Sequence, residues 1–270
     1  MLNKKIMKKI LLILGLFFLS ASCERSMDQS NKTDSLLLNY CSLGASTASM
    51  SWQEKVALSL AKNYKTFSIP GSRWAHTDLS SYDLSDDGSK NANNLLMTNQ
   101  LARLLKEKAE NKYEPDIITV FCGLNDAANG SRVLGNYNES LSYNLNVTPE
   151  EWFSNIEYKK IRNTVYGSSR FVIGSLVRNF PNSKIIILTS RQCNNNTYNN
   201  YNTSLVNEAL ISAANYYKLN VIDIFNESGI VVKDGAPSPY LGADQLHPNA
   251  LGEELLYNFV SQKIKEIIKK

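Results

Sequence analysis

Short aliphatic runs alternate along the chain with segments whose apolar residues recur every three or four positions. Ser35 to Leu43 (SLLLNYCSL) is an apolar run stopped by Gly44 and predicts a first strand. Behind it, Ser51-Trp52-Gln53-Glu54 has the Ser-x-x-Glu order of a capping box, and Trp52, Val56 and Leu60 repeat at four-residue intervals. A helix with one buried stripe is predicted there. Lys65 to Ile69 predicts a second strand, ended by Pro70-Gly71. Asn94 to Glu110 predicts a helix, with Leu95, Leu101, Leu104 and Leu105 on one side. Asp116 to Phe121 (DIITVF) predicts a third strand before Gly123. Thr148-Pro149-Glu150-Glu151 opens a helical region that Tyr158 to Asn179 continues. Lys184 to Thr189 (KIIILT) is an unbroken aliphatic run, as expected of a strand covered on both faces. A helix over Ser204 to Tyr217, a strand over Asn220 to Ile224 and a last helix from Asn249 to Ile268 complete the pattern. In that last helix Leu251, Leu255, Phe259, Ile264 and Ile268 form the expected apolar stripe.

Five apolar strands separated by helices predict an α/β fold, a parallel sheet with helices on both sides. Ligand sites in such sheets lie beyond the carboxyl ends of the strands, here just after residues 43, 69, 121, 189 and 224. Two long polar stretches, His76 to Asn93 and Ala127 to Val147, interrupt the alternation at strand ends and read as loops.

Composition adds limits. With 270 residues, 43% hydrophobic and 20% charged, the chain is globular in proportion, which excludes a disordered, collagen-like or multi-span membrane protein. The formal net charge of +4 is matched by Lys4, Lys5, Lys8 and Lys9 at the N-terminus, so the remaining body is near neutral. A neutral body lacks the basic face that phosphate binding needs, and nucleic acid is not an expected partner. The lysines precede an apolar run from Ile10 to Leu19 that closes on Ser20-Ala21-Ser22-Cys23, the layout of a secretory signal over residues 1–22 and too short for a stable span. A cysteine directly after small residues resembles a bacterial lipobox. That resemblance implies lipid on Cys23, a polar tether over residues 23–34, a folded domain over residues 35–270, and a place in the bacterial cell envelope held by the lipid anchor alone. Without lipidation the chain would be secreted. Cys41, Cys122 and Cys193 show no zinc or redox spacing and are expected to be buried free thiols.

The strand ends carry the chemistry. After strand one comes Gly44-Ala45-Ser46; after strand two, Pro70-Gly71-Ser72; after strand three, Gly123-Leu124-Asn125-Asp126; before the last helix, Asp244-Gln245-Leu246-His247. On one sheet edge these would supply a hydroxyl, a glycine turn, a side-chain amide, and a carboxylate with an imidazole. Acyl transfer requires that set: a serine needs a base, the base needs a carboxylate, and the oxyanion needs fixed donors. The chain has two histidines; His247, three residues after Asp244, is the expected base. His76, beyond Gly71, is expected to touch substrate at most, with Trp74 beside it as a lining residue. A metal site from His76, Asp78, Asp244 and His247 is the rival grouping, but no ligand spacing demands it, and neither metal nor cofactor is expected.

In this order the four blocks resemble the SGNH hydrolases, the GDSL esterase/lipase superfamily, across residues 36 to 268. The resemblance implies a three-layer α/β/α sandwich of flavodoxin-like type with a five-stranded parallel sheet. It implies a catalytic Ser46, Asp244 and His247, and an oxyanion hole from the Ser46 and Gly71 N–H groups and the Asn125 amide. Ala45 departs from the pattern, standing where the family has aspartate. The function implied is a serine esterase acting on a small-molecule or glycan ester, such as an acetylated carbohydrate. A non-catalytic binding protein of the same fold, and an acyltransferase using the same site, are the alternatives.

Overall fold

The computed structural model describes residues 39–76, 95–128, 133–233 and 236–269. The proposed signal segment, Cys23 and the tether lie outside these, as does most of the polar stretch after His76. Five strands form one sheet: β1 (Asn39–Gly44), β2 (Asn63–Thr66), β3 (Ile117–Phe121), β4 (Lys184–Leu188) and β5 (Asn220–Ile222). Their order is β2-β1-β3-β4-β5, and every neighbouring pair is parallel. Each strand therefore runs toward the same edge, and all five carboxyl ends meet there. Among the described residues the five longest helices connect or follow the strands: α1 (Ser51–Leu60), α2 (Met97–Asn111), α3 (Val165–Asn179), α4 (Asn200–Tyr216) and α5 (Ala250–Ile268).

The period of two along each strand divides the core. Cys41, Leu43, Ile118, Val120, Ile185 and Ile187 face α2, α3 and α4, whereas Tyr40, Ile117, Phe121, Ile186 and Leu188 face α1 and α5. A strand with helices on both sides alternates between two apolar layers, which is why KIIIL is aliphatic at consecutive positions. Gln53 of α1 is a fully buried polar residue of this layer. Its Nε2 donates to Tyr40 Oη at 3.0 Å and Thr119 Oγ1 at 2.8 Å, stitching the helix to β1 and β3. Cys41, Cys122 and Cys193 are free and buried.

Several local expectations shift. The capping box at Ser51 does not form: Met50 is the N-cap, Ser51 is already helical and Glu54 is exposed. The exposed N–H end of α1 is served by Glu253 of α5, which accepts from Ser51 Oγ and, at 3.0 Å, from Trp52 N. A carboxylate from a neighbouring helix thus occupies the place of a local cap and complements the helix dipole. The second strand starts two residues and ends three residues earlier than its apolar run suggested. Phe67 N and Ile69 N nonetheless still bond to Ser42 O and Gly44 O of β1 at 2.8 and 3.0 Å. The region from Tyr158 to Asn179 is not one helix; it breaks before Thr164, whose hydroxyl caps α3 by accepting from Gly167 N. In α5 the buried stripe is Leu256, Val260 and Ile264, while Leu251 is 64% exposed. The helix begins at Ala250 with Asn249 as N-cap, and that register turns Leu251 outward.

The close approach of β1 to β3 at their carboxyl ends tolerates only a hydrogen at Gly44: a Cβ there would sit 2.3 Å from Phe121 O and 2.5 Å from Ala48 Cβ. Neither neighbour is a flexible side-chain end. Gly44→Ala should therefore destabilise the fold by about 3 kcal/mol, the scale of overpacking a closed site, read as a lower urea midpoint at unchanged slope.

Candidate active site

Ser46 leaves β1 on a single tight turn, Ser46–Ser49, and is half-buried. Its Oγ lies 2.9 Å from His247 Nε2, and His247 Nδ1 lies 2.6 Å from Asp244 Oδ2. The other carboxylate oxygen, Oδ1, accepts from the Leu246 and His247 N–H groups at 3.0 Å each. This local closure is permitted by Gln245, whose φ of 50° is left-handed. The loop is locked further where Gln245 Oε1 accepts from Ser238 N at 2.8 Å and Gly242 N donates to His247 O at 2.7 Å. Partial burial raises the Asp244 pKa and is the largest single influence. It is outweighed by the His247 ring bond and the two backbone N–H bonds, which together hold the carboxyl down at about 2. Asp244 is therefore ionised and the imidazole has a fixed acceptor on Nδ1.

The glycine turn after β2 is brought alongside by buried polar groups. Gly71 has φ +86°, and a Cβ on it would meet Leu95 Cδ1 at 3.3 Å. Gln100 of α2, fully buried, accepts from Gly44 N at 2.8 Å and donates to Gly44 O at 2.8 Å and Ser72 Oγ at 2.7 Å. One side-chain amide thereby ties the Ser46 turn to the Gly71 turn. Asn125, in the turn after β3, donates Nδ2 to Ser72 O at 2.8 Å, and its Oδ1 receives the Tyr198 hydroxyl at 3.4 Å. The two contacts orient the amide with its nitrogen toward the glycine turn. Next to it, Asp126 is buried and accepts from Trp74 N and Ala75 N at 3.0 Å. Ser46, Gly71, Asn125, Arg191, Tyr198 and His247 all line one cleft of about 270 Å³.

The structure thus brings together Ser46, Asp244, His247, Gly71 and Asn125. It does not bring in Trp74 or His76. Trp74 is fully buried, its Nε1 donating to Cys122 O at 3.0 Å. His76 is buried too, with Nε2 3.0 Å from Thr98 Oγ1 and its ring 5.7 Å from that of Phe153. Burial, then the Arg162 and Arg73 charges, push its pKa down to about 3, so the ring is neutral. Neither residue lines the cleft. The reason is Asp126, which draws the backbone at Trp74 and Ala75 into the interior just after the turn; a segment that reads as loop in the sequence is core in the fold. Asp78 of the rival metal grouping lies outside the described residues, and no cluster able to hold a metal ion occurs among the described ones. Gln100, Asp126, Arg191 and Tyr198 were not signalled as site residues by the sequence. Only Asp126, through its place in the Gly-x-Asn-Asp block, carried a cue.

Asp126 also gives the fold a pH dependence. Desolvation raises its pKa to about 7 against the pull of the Trp74 and Ala75 N–H bonds. A carboxyl whose folded pKa lies above its unfolded value of about 3.9 holds a proton in the folded state that the unfolded chain has released. Its contribution to stability is therefore largest in acid and is lost as pH rises from about 4 to about 7. Relative to Asp126→Asn, the wild type should lose stability across that window, by on the order of a few kcal/mol, and show a constant difference above it. Urea titrations of both proteins at pH 5 and pH 8 measure this. Equal differences at the two pH values would contradict the assignment.

Comparison with known proteins places the fold and the family. Residues 34–255 match the profile of the GDSL-like lipase/acylhydrolase family. No curated protein sequence matches the chain. Among solved structures, a protein from Lactobacillus plantarum is similar with TM-score 0.59 and 16% identity, covering 85% of this chain and 97% of that one. A lipase/acylhydrolase from Enterococcus faecalis follows at 0.53 and 16%, covering 85% and 96%. A possible lipase from Chitinophaga pinensis is similar at 0.51 and 15%, covering 85% and 98%. At these identities the structures speak for the fold, and the family match spans most of the sequence. The chain belongs to the GDSL-like lipase/acylhydrolase family, the SGNH group of ester-hydrolysing enzymes.

Proposed function

We propose that the protein is a serine esterase whose nucleophile is Ser46, and the observation that carries this is the unbroken chain Ser46 Oγ–His247–Asp244 at 2.9 and 2.6 Å. His247 Nε2 takes the Ser46 proton as Oγ attacks the ester carbonyl, while Asp244 keeps Nδ1–H bound and offsets the imidazolium that forms. The carbonyl oxygen becomes an oxyanion and is met by the N–H groups of Ser46 and Gly71 and by Asn125 Nδ2. These donors belong to three turns already fastened by Gln100 and the Ser72 contacts, so little reorganisation accompanies the charge. Collapse expels the alcohol, which takes the proton from His247. Water, deprotonated by the same imidazole, then attacks the acyl-enzyme and releases the acid.

The substrate we infer is a short acyl ester of a carbohydrate. A cleft of about 270 Å³ is small for a long acyl chain, and the side chains of Ser190, Asn125 and Tyr198 on its wall suit a hydroxyl-rich alcohol. We further propose that the enzyme works in the bacterial cell envelope, tethered by lipid on Cys23, on the strength of the lysine-rich start, the apolar run and the small residues before that cysteine.

A fluorophosphonate probe should label the wild type and fail on Ser46→Ala and His247→Ala. Asn125→Ala should still fold but lower kcat by roughly 10²–10³, the cost of one preorganised donor. Labelling that persists in Ser46→Ala, or an Asn125→Ala enzyme with unchanged kcat, contradicts the mechanism. For the address, cells fed an alkynyl fatty acid should tag the wild-type protein but not Cys23→Ser; a tag surviving the substitution rules out Cys23 as the attachment point.

A further inference from the structure

The mechanism above draws no group from the segment after β4, yet that segment places a charge in the site. Arg191 lines the cleft and is 1% exposed. Its Nη1 donates to Thr47 Oγ1 at 3.1 Å, on the residue next to the nucleophile. Nε and Nη2 are buried with no hydrogen-bond partner among the described residues. Burial lowers the guanidinium pKa to about 10, with Cys193 and Asp244 acting in the opposite direction, so the group is still a cation at neutral pH. A buried cation is costly, and an apolar side chain of similar volume would ordinarily be more stable there. The nearby carboxylate, Asp244, is already engaged by the His247 ring and two backbone N–H groups. Arg191 thus adds positive charge to a poorly solvated region in which the esterase reaction would create negative charge.

Resting on the Ser46 reading, we infer that Arg191 is a positioning residue of the active site: it braces the Ser46 turn through Thr47, and its buried, incompletely hydrogen-bonded guanidinium favours the oxyanion as it forms. Arg191, Cys193 and Tyr198 come from the segment after β4; Arg191 and Tyr198 share the cleft with His247, and Cys193 and Asp244 are the titratable groups that act on Arg191. Burial raises the Cys193 thiol, which stays protonated at neutral pH, so Arg191 is the one fixed positive charge in this set. Low dielectric lets such a charge act beyond contact distance.

Ester turnover by the full chain, separated into kcat and KM, tests this. Arg191→Gln removes the charge but keeps a donor for Thr47. It should lower kcat about tenfold or more while KM changes little. Arg191→Lys keeps the charge and should hold kcat within about threefold of wild type. An unchanged kcat in Arg191→Gln, or an equal loss in Arg191→Lys, overturns the inference. If Arg191→Gln does not fold, Arg191→Met takes its place, an apolar side chain that removes the charge at a buried position, and a wild-type kcat in it overturns the inference. Failure of the esterase reading would appear separately, as absence of probe on Ser46.

Discussion

Gln100 supplies three hydrogen bonds from a single buried amide, and the two turns it joins, at Gly44 and Ser72, flank the space where a carbonyl oxygen would sit. In a parallel sheet the strand ends are close by topology, but the ladder runs out just past them, with the Ala45 N to Phe121 O and Ile69 N to Gly44 O bonds, and leaves the turns beyond to be fixed by other groups. The backbone donors of an oxyanion hole are such free N–H groups. They can stay unpaired and correctly aimed only if side chains hold the turns from behind. Gln100 does this for the first and second turns, and Asn125 does it for the second and third through Ser72. Asp126 does it from beneath by taking the Trp74 and Ala75 N–H groups. Each is a half- or fully buried polar side chain that bonds to atoms of another turn, so packing of the core and geometry of the site are one problem.

The His247 side of the cleft is built differently. Asp244, Leu246 and His247 close a small ring of bonds within one loop, and the carboxylate is largely in solvent, with its side chain 47% exposed. Long-range fastening comes from the neighbouring segment after β4: Asn194 N donates to Gln245 O, and Asn195 Nδ2 to Asp244 O, at 3.0 and 2.9 Å. The Asn-rich tract is therefore a brace between that loop and Tyr198, which reaches Asn125. On the proposed mechanism the base is held by short-range geometry and the oxyanion donors by buried long-range contacts, so damage to the core should fall first on the oxyanion side.

The parallel sheet, and the sheet edge at which the candidate residues gather, are legible because two simple rules apply here without conflict. The aliphatic runs at Ile117–Phe121 and Lys184–Leu188 are strands covered on both faces, and short polar blocks follow each carboxyl end. Where reading failed, a distant partner had replaced a local one. Ser51 looks like half of a capping box, but Glu253, about two hundred residues away, does the capping. Trp74 and His76 follow a glycine turn in a stretch that reads as polar loop, but the Asp126 carboxylate pulls that backbone inward, and no local pattern reveals it. Gln100 sits in a helix whose leucines explain the helix; nothing in the spacing marks the glutamine as a clasp. Arg191 follows the clearest strand in the chain, and its burial depends on Thr47, which is remote in sequence.

The central claim is that Ser46 becomes covalently acylated during turnover. Mixing the wild-type enzyme with excess nitrophenyl acetate, quenching in acid within the first turnovers and mapping the peptides by mass spectrometry tests it directly. An acetyl group is expected on the peptide bearing Ser46, appearing with a burst of nitrophenol and decaying as substrate is exhausted. Steady turnover with Ser46 unmodified, and an undiminished rate in Ser46→Ala, would contradict it.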